Sequence, residues 1–295
     1  MSTAGRTFAQ AKVNLALRIL GQNPDGYHAI ETVFLRLELA DLVTVRITDL
    51  ARSLRCDAME DDNPEDNLGF RAAKAFADAT GWPRGFEIDI EKKIPIGGGL
   101  GGGSADAAAV LRILNKLAPQ SVSDAKLLAL AAMLGADVPF LTTEHVMALG
   151  WGRGEKLEPL VPLPQRNLAL LVPSRGMSTA EAYALVASAR GPYEPRPRSL
   201  RAELFRTWDH AARHAVNEFE SFVGDVFPHM HSWLEVGARL GLLTRLSGSG
   251  STVFMVDAGT KDALQSAIGS LGLDLTTTVV RTRTATSVVP VELLD

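Results

Sequence analysis

The sequence predicts a mixed fold of strands and helices, arranged as one large domain or two lobes. Three observations predict it. Segments with an apolar residue at every second position are interleaved with segments of helical periodicity. The 295 residues, 46% of them hydrophobic, supply a core near the ~250–300-residue size at which single cores stop growing. A glycine- and proline-rich run, Gly150 to Pro164, interrupts the chain near its middle, and its start places a lobe boundary at 153/154.

The elements follow in order. Val13, Leu15, Leu17 and Ile19 alternate as a half-buried strand does, and Leu42 to Ile47 alternates again. Phe86, Ile88 and Ile90 are separated by Glu87 and Asp89 in the same way. Asn67 to Ala79 reads as a helix around Leu68, Ala72, Ala75 and Phe76. A helix is expected from about Ala105 to Leu117, with Ala109, Leu111, Ile113 and Leu114 available for burial. Ser123 and Asp124 cap another through Leu134, whose apolar run from Leu127 predicts a buried helix. Asn167 to Pro173 reads as a short buried strand, Ser178 as the cap of a helix through Ala189, and Pro192 to Pro197 as a stiff surface loop. Two or three helices span Leu200 to Leu240. Thr252 to Val256 is a strand, Lys261 to Leu271 a helix, and Thr276 to Thr282 a last strand.

Composition excludes several classes. The net charge of −4 and pI near 5.9 do not supply the basic face that nucleic acid requires, so no nucleic-acid partner is expected. No apolar run approaches the ~18–20 residues of a membrane span, and the N-terminus carries no long apolar signal core. Cys56, the single cysteine, cannot form an internal disulfide, which fits a reducing cytoplasm. The expected protein is soluble, unprocessed, and a monomer or weak homodimer. The histidines after His28 show no metal spacing, and no protein metal site is predicted.

The sharpest feature is Pro95-Ile96-Gly97-Gly98-Gly99-Leu100-Gly101-Gly102-Gly103-Ser104-Ala105, which follows a strand and opens a helix. Six glycines in seven positions leave backbone amides uncovered and permit positive φ. With the unpaired N–H groups of a helix start they make a cradle for a polyphosphate. Ser104 is expected to cap the helix or to reach phosphate or Mg²⁺. A flexible turn is the plain alternative, but linkers mix glycine with serine and lie outside such strand-to-helix logic. Gly97, Gly99 and Gly102 satisfy G-x-G-x-x-G, yet no second strand with an acidic residue follows about twenty residues on, as a dinucleotide fold and an NAD-dependent oxidoreductase require. A Walker loop needs lysine where Ser104 stands.

The glycine loop resembles the ATP-binding motif of the GHMP kinases. Ala11-Lys12-Val13-Asn14-Leu15 resembles their first motif, and Leu246-Ser247-Gly248-Ser249-Gly250-Ser251 their third. Asp25-Gly26-Tyr27-His28 and Gly135-Ala136-Asp137-Val138-Pro139 resemble segments of one branch, whose acceptor alcohol carries a cytidine diphosphate group and belongs to the non-mevalonate isoprenoid route. The motifs span nearly the whole chain. Departures are small: Asp106 stands where some members have asparagine, and Ser249 and Ser251 where some have threonine and alanine. The resemblance implies an α+β, two-lobed fold with an N-terminal ATP-binding lobe (1–153), a C-terminal substrate-supporting lobe (154–295) and the site between them. It implies phosphoryl transfer from ATP, with Mg²⁺, to a small-molecule hydroxyl. Another GHMP kinase, acting on homoserine, mevalonate or a sugar, is the near alternative, and a non-catalytic binding protein of this fold the distant one.

The resemblance also implies roles. Asp137 becomes the general base, where residue chemistry alone allows equally a turn aspartate bonded to local backbone. Lys12 pairs with it and stabilises the transferring phosphoryl group, where residue chemistry suggests a strand-edge lysine. Asn14, on the same strand face as Lys12, lines the acceptor site. Tyr27 and His28 contact cytidine; Tyr183 matches a second stacking aromatic, with helix core as its rival. Asn67 lies near adenine, where a helix N-cap looks the same. Gly248, Ser249 and Gly250 support the phosphate site. Lys92 and Lys93 either neutralise nucleotide charge or are solvated.

Overall fold

The computed structural model describes residues 2–22, 26–58, 63–190, 195–224, 226–257, 259 and 261–295. Asp25 of the D-G-Y-H segment and residues 192–194 of the proline-rich loop lie outside these.

Two long strands organise the first lobe. β1 (Ala4–Gln22) and β2 (His28–Thr48) pair antiparallel along almost their whole length. One edge of β2 serves two partners in turn. Ile30 to Leu35 pair with β5 (Met147–Gly152), and Leu42 to Thr48 with β4 (Gly85–Glu91). β3 (Arg52–Cys56) runs parallel to β4, and β6 (Lys156–Pro159) pairs with β5. The larger sheet is closed at its other edge by β11 (Glu292–Leu294), which returns to β1 and places Arg6 Nε 2.8 Å from Glu292. Thr276 to Thr282 is therefore not the last strand.

The half-buried strand expected at 13–19 is covered on both faces, since every residue from Ala9 to Leu17 is buried. The cause is tertiary. Val13 and Leu15 join the core under the helices, while Leu17 and Ile19 pack into a second core in the other lobe. Breaks in pairing between Gln10 and Lys12 and between Asn14 and Ala16 re-aim β1 at the point where Lys12 and Asn14 project.

Helices cover this sheet. α1 (Leu68–Thr80) starts on Asn67, whose Oδ1 accepts from Gly69 N, and ends at Gly81 with φ 74°. Its buried Phe76 contributes roughly 1.5–3 kcal/mol. α2 (Gly102–Leu117) is buried nearly all round, as its run of alanines permits. α3 (Asp124–Leu134) is capped by Ser123 as expected but is not a buried helix: Leu127, Leu130 and Ala131 are covered, whereas Met133 is 74% exposed. The short α4 (Val138–Thr142) follows.

The second lobe is an antiparallel sheet of β7 (Asn167–Pro173), β8 (Leu243–Leu246), β9 (Val253–Val256) and β10 (Thr277–Arg283), in the order β10-β7-β9-β8. β7 reads as a continuous apolar run because Leu168, Leu170 and Val172 face one core and Ala169 and Leu171 the other. The remaining helices are α5 (Thr179–Arg190), α6 (Trp208–His214), α7 (Glu220–Val223), α8 (Pro228–Arg239) and α9 (Lys261–Ser270); Val186, Val223, Trp233 and Leu264 pack in the second core, whereas Ala211 of α6 joins the first. Ser178 and Glu181 form a reciprocal capping box on α5. The boundary expected at 153/154 falls inside the β5–β6 hairpin, where Trp151 pairs with Lys156, so the larger sheet continues to Pro159 and regains the chain at β11. Among the described residues, no helix is long and apolar enough to cross a membrane.

Candidate active site

The glycine loop leaves β4 and enters α2. The helix begins at Gly102, earlier than expected, with Gly101 at its N-cap and no side-chain cap. Ser104 therefore does not cap; it sits in the first turn. Gly97, Gly99 and Gly101 have φ of 72°, 74° and 73°, which alternate left-handed kinks supply to turn successive amides. The third motif docks directly on this loop: Ser247 Oγ donates to Gly99 O at 2.9 Å, and Thr252 N to Gly98 O at 3.2 Å. Asn217 fixes that turn from below, donating from Nδ2 to the carbonyls of Leu246 and Gly248, each at 2.8 Å.

Two cavities flank the loop. One of about 200 Å³ is lined by Asn67, Leu68, Pro95, Ile96, Lys92 and Asp106 together with the glycines. The other, of about 520 Å³, is lined by Lys12, Asn14, Ser104, Asp137, Tyr183 and the Gly248–Gly250 turn. A larger void of about 650 Å³, beside Arg112, Asp124 and Glu144, contains none of the predicted residues.

Lys12 is 2% exposed, not a strand-edge lysine. Its Nζ lies 3.1 Å from Asp137 Oδ2 and donates to Asn14 Oδ1 at 2.9 Å and Gly99 O at 3.0 Å. These three acceptors match the three hydrogens of an ammonium. Asn14 is held in turn by Thr32 Oγ1 at 2.7 Å, which donates to Ala16 O. Asp137 begins α4 but makes no side-chain cap; the carboxylate is 28% exposed and turns to Lys12. Asn67 both caps α1 and lines the smaller cavity; the cap engages Oδ1 and leaves its Nδ2 to donate.

The aromatic residues are distributed differently. Tyr183 lines the larger cavity and meets Phe219 edge-to-face, at 5.0 Å and 74°. The His28 ring stacks on it at 4.2 Å and 13°, so no base fits between these two in this arrangement. Burial pushes the His28 imidazole below its ordinary pKa, which favours the neutral ring at neutral pH. Tyr27 is 57% exposed and carries the Arg153 guanidinium over its face at 3.7 Å. Arg153 also lines the larger cavity. It carries no sequence signal beyond lying in the Gly/Pro-rich run.

Lys92 is neither solvated nor free to meet a nucleotide as a simple counter-ion. Its Nζ is buried between Asp41 Oδ2 at 2.5 Å and Asp106 Oδ2 at 2.6 Å. Asp41 Oδ1 also accepts from the backbone N–H of Lys93 and Ile94, tying the loop's entry to β2. Burial works against the Lys92 charge, but Asp106 and Asp41 hold its pKa above the ordinary value. Burial raises Asp106 to about 7, against the pull of Lys92 and with Asp41 adding to the rise. A raised folded-state pKa means the folded protein keeps a proton that the unfolded chain has released, so stability is lost as pH rises from the ordinary carboxylate range through about 7. Asp106→Asn removes that loss. Its melting temperature relative to wild type is expected to become more positive between about pH 5 and about pH 8. Thermal unfolding at both pH values measures it, and a constant or falling difference contradicts the account.

Among the described residues, no three His, Cys, Asp or Glu side chains gather as a metal site. What the geometry offers is an amide-lined cradle between two cavities, with a buried ammonium and a partly exposed carboxylate at the junction. That arrangement suits transfer of an anionic group to a hydroxyl.

Comparison with known proteins agrees. Residues 67–145 match the model of the GHMP kinases N terminal domain. The 4-diphosphocytidyl-2-C-methyl-D-erythritol kinase of Pelotomaculum thermopropionicum is 38% identical over 264 residues, covering 87% of this chain and 90% of that protein. A crystal structure of a 4-(cytidine 5'-diphospho)-2C-methyl-D-erythritol kinase superposes with a TM-score of 0.73 at 33% identity, over 95% of this chain and 99% of that one. A homoserine kinase from Cytophaga hutchinsonii, 16% identical, shares the fold with a TM-score of 0.70 over 100% of this chain and 98% of that one.

Proposed function

Since the chain belongs to the 4-diphosphocytidyl-2-C-methyl-D-erythritol kinase family of GHMP kinases, we propose that it moves the γ-phosphoryl group of ATP to the 2-hydroxyl of 4-diphosphocytidyl-2-C-methyl-D-erythritol, in the non-mevalonate isoprenoid route. The observation that carries the reading is the Lys12–Asp137 pair, 3.1 Å apart where the glycine loop meets the larger cavity.

Asn67, Pro95 and Ile96 hold the adenosine end in the smaller cavity. Gly97 to Ala105 present backbone amides to the phosphates, and Gly248, Ser249 and Gly250 back them from the other lobe. The fit rests on the loop's bare backbone and the uncapped first turn of α2. Mg²⁺, carried on the nucleotide, would supply neutralisation of phosphate charge, and the Ser104 hydroxyl would be its protein contact. Asp137 accepts the hydroxyl proton as the oxygen bonds to the γ-phosphorus and the bond to the β-phosphate oxygen breaks. Lys12 stabilises the charge spreading over the transferring group. Asn14 orients the acceptor, while Tyr27, His28 and Tyr183 bind its cytidine. For a base to stack on Tyr183, the His28 ring has to give way, or the base takes the ring's opposite face. A cytoplasmic location is part of the reading and rests on the single, buried Cys56.

The test is ADP formation by the purified chain with ATP, Mg²⁺ and, in parallel, 4-diphosphocytidyl-2-C-methyl-D-erythritol, homoserine and mevalonate. Turnover is expected with the first alone. Turnover with either of the others assigns a different acceptor. ATP binding without turnover on any of the three makes the protein a binding member of the fold.

A further inference from the structure

Arg36 is the largest fully buried side chain, at 1% exposure on the inner stretch of β2. Its guanidinium donates from Nε to His145 O at 3.1 Å, and from Nη2 to the carbonyls of Phe140 at 3.0 Å, Leu141 at 3.2 Å and Thr143 at 2.9 Å. It also lies 5.0 Å from the centre of the Phe140 ring, which stacks on Phe34. Among the described residues no carboxylate pairs with it within 4.0 Å. A buried cation without a counter-ion is costly unless dipoles replace the lost water. Here they are the carbonyls that close α4, the negative end of that turn. Burial, with Arg112 adding repulsion, lowers the guanidinium to about 9, so it stays charged at neutral pH.

α4 spans five residues and has little to hold it by itself. Leu141 N donates to Asp137 O at 3.2 Å, and Thr142 Oγ1 to Val138 O at 2.8 Å. The first of these bonds ties the backbone of Asp137 directly to the residues Arg36 grips. Arg36 is itself pinned, since its N–H donates to Val146 O at 2.9 Å. β2 thus reaches through one side chain to the far end of the turn that carries the Asp137 carboxylate.

We propose that Arg36 is a positioning residue for Asp137: by gathering the carbonyls at the end of α4, it fixes the turn that sets the carboxylate against Lys12. The proposal rests on the reading of Asp137 as the base. Displacement of a reacting group by about 1 Å costs on the order of 100-fold in rate.

The experiment uses Arg36→Met and Arg36→Lys in the full chain, each alone and combined with Asp137→Asn. Steady-state kcat and the KM for ATP are measured with the acceptor established above. In the otherwise wild-type chain, Arg36→Met lowers kcat by about 10- to 100-fold with KM for ATP changed less than about twofold. Arg36→Lys, which keeps the charge but loses the planar fork, falls between. In the Asp137→Asn background, the same replacements change the residual kcat by less than about threefold. Folded variants with wild-type kcat overturn the proposal. So does an equal loss in both backgrounds, which marks general damage. Should Arg36→Met not fold, Arg36→Lys carries the same comparison. Wild-type kcat in Asp137→Asn alone removes the base assignment and this proposal with it, whereas unaffected Arg36 variants leave the base assignment standing.

Discussion

Replacing Asp137 by asparagine lowers kcat by roughly 10²- to 10⁴-fold, the usual contribution of a positioned general base. The substitution keeps shape and removes the proposed acceptor for the hydroxyl proton. The fold is expected to survive, because the carboxylate is 28% exposed and caps no helix. Lys12 keeps two of its three acceptors, Asn14 Oδ1 and Gly99 O, so the ammonium is not stranded. On the proposed reading ATP meets the glycine loop rather than Asp137, so its KM is expected to stay within a few-fold. Initial rates of ADP formation, beside a melting curve of the variant, measure both. A kcat within tenfold of wild type would move the catalytic burden onto phosphate positioning and Lys12.

Much of the candidate site was legible because each of its parts is a contiguous stretch of sequence. A loop with six glycines in seven positions at a strand-to-helix junction announces its backbone chemistry; the structure adds that α2 starts inside it and that the third glycine turn docks on Gly99. Asn67 was readable as an N-cap because capping is local. What was not legible is long-range. Lys92, beside Lys93, read as either a counter-charge for nucleotide or a solvated lysine, yet its partner Asp41 lies 51 residues away and Asp106 14. Asn217 carries no motif; its importance comes from carbonyls 29 and 31 residues on. The alternation of Val13, Leu15, Leu17 and Ile19 gave the strand but not its burial, because the second face is covered by the other lobe. β11 is three residues long and pairs with the opposite end of the chain, Ala4 with Leu294 and Arg6 with Glu292, beyond any periodicity. Tyr27 and His28 were singled out from one short string and Tyr183 from another about 155 residues on, and nothing in either told that His28 and Tyr183 stack on one another.

The glycines of the loop are unequal, and Gly99→Ala is expected to do the greatest structural harm among them. A Cβ at Gly99 stands 2.2 Å from Ser247 O and 2.9 Å from Gly250 O, both backbone atoms of the other lobe, at a φ of 74°. The left-handed conformation alone costs alanine about 1–2 kcal/mol. The overlap is worse, since rigid backbone has to retreat by about 1 Å, and displacement on that scale costs on the order of 100-fold in rate. Retreat also breaks the Ser247 bond to Gly99 O and pulls that carbonyl from Lys12 Nζ, so the ammonium beside Asp137 loses a partner. ATP affinity and kcat are expected to fall together, with a lower melting temperature. Gly103→Ala is the contrast: its Cβ meets Leu68 Cδ1 at an ordinary 3.6 Å inside α2, where alanine is favoured over glycine by up to about 1 kcal/mol. Its melting temperature is expected to hold or rise, so any loss of ATP affinity there reads out crowding of the cradle itself. Calorimetric ATP titration and thermal unfolding of both variants separate the two effects. Equal behaviour of the two would mean that the docking of the third glycine turn onto Gly99 does not govern the phosphate site.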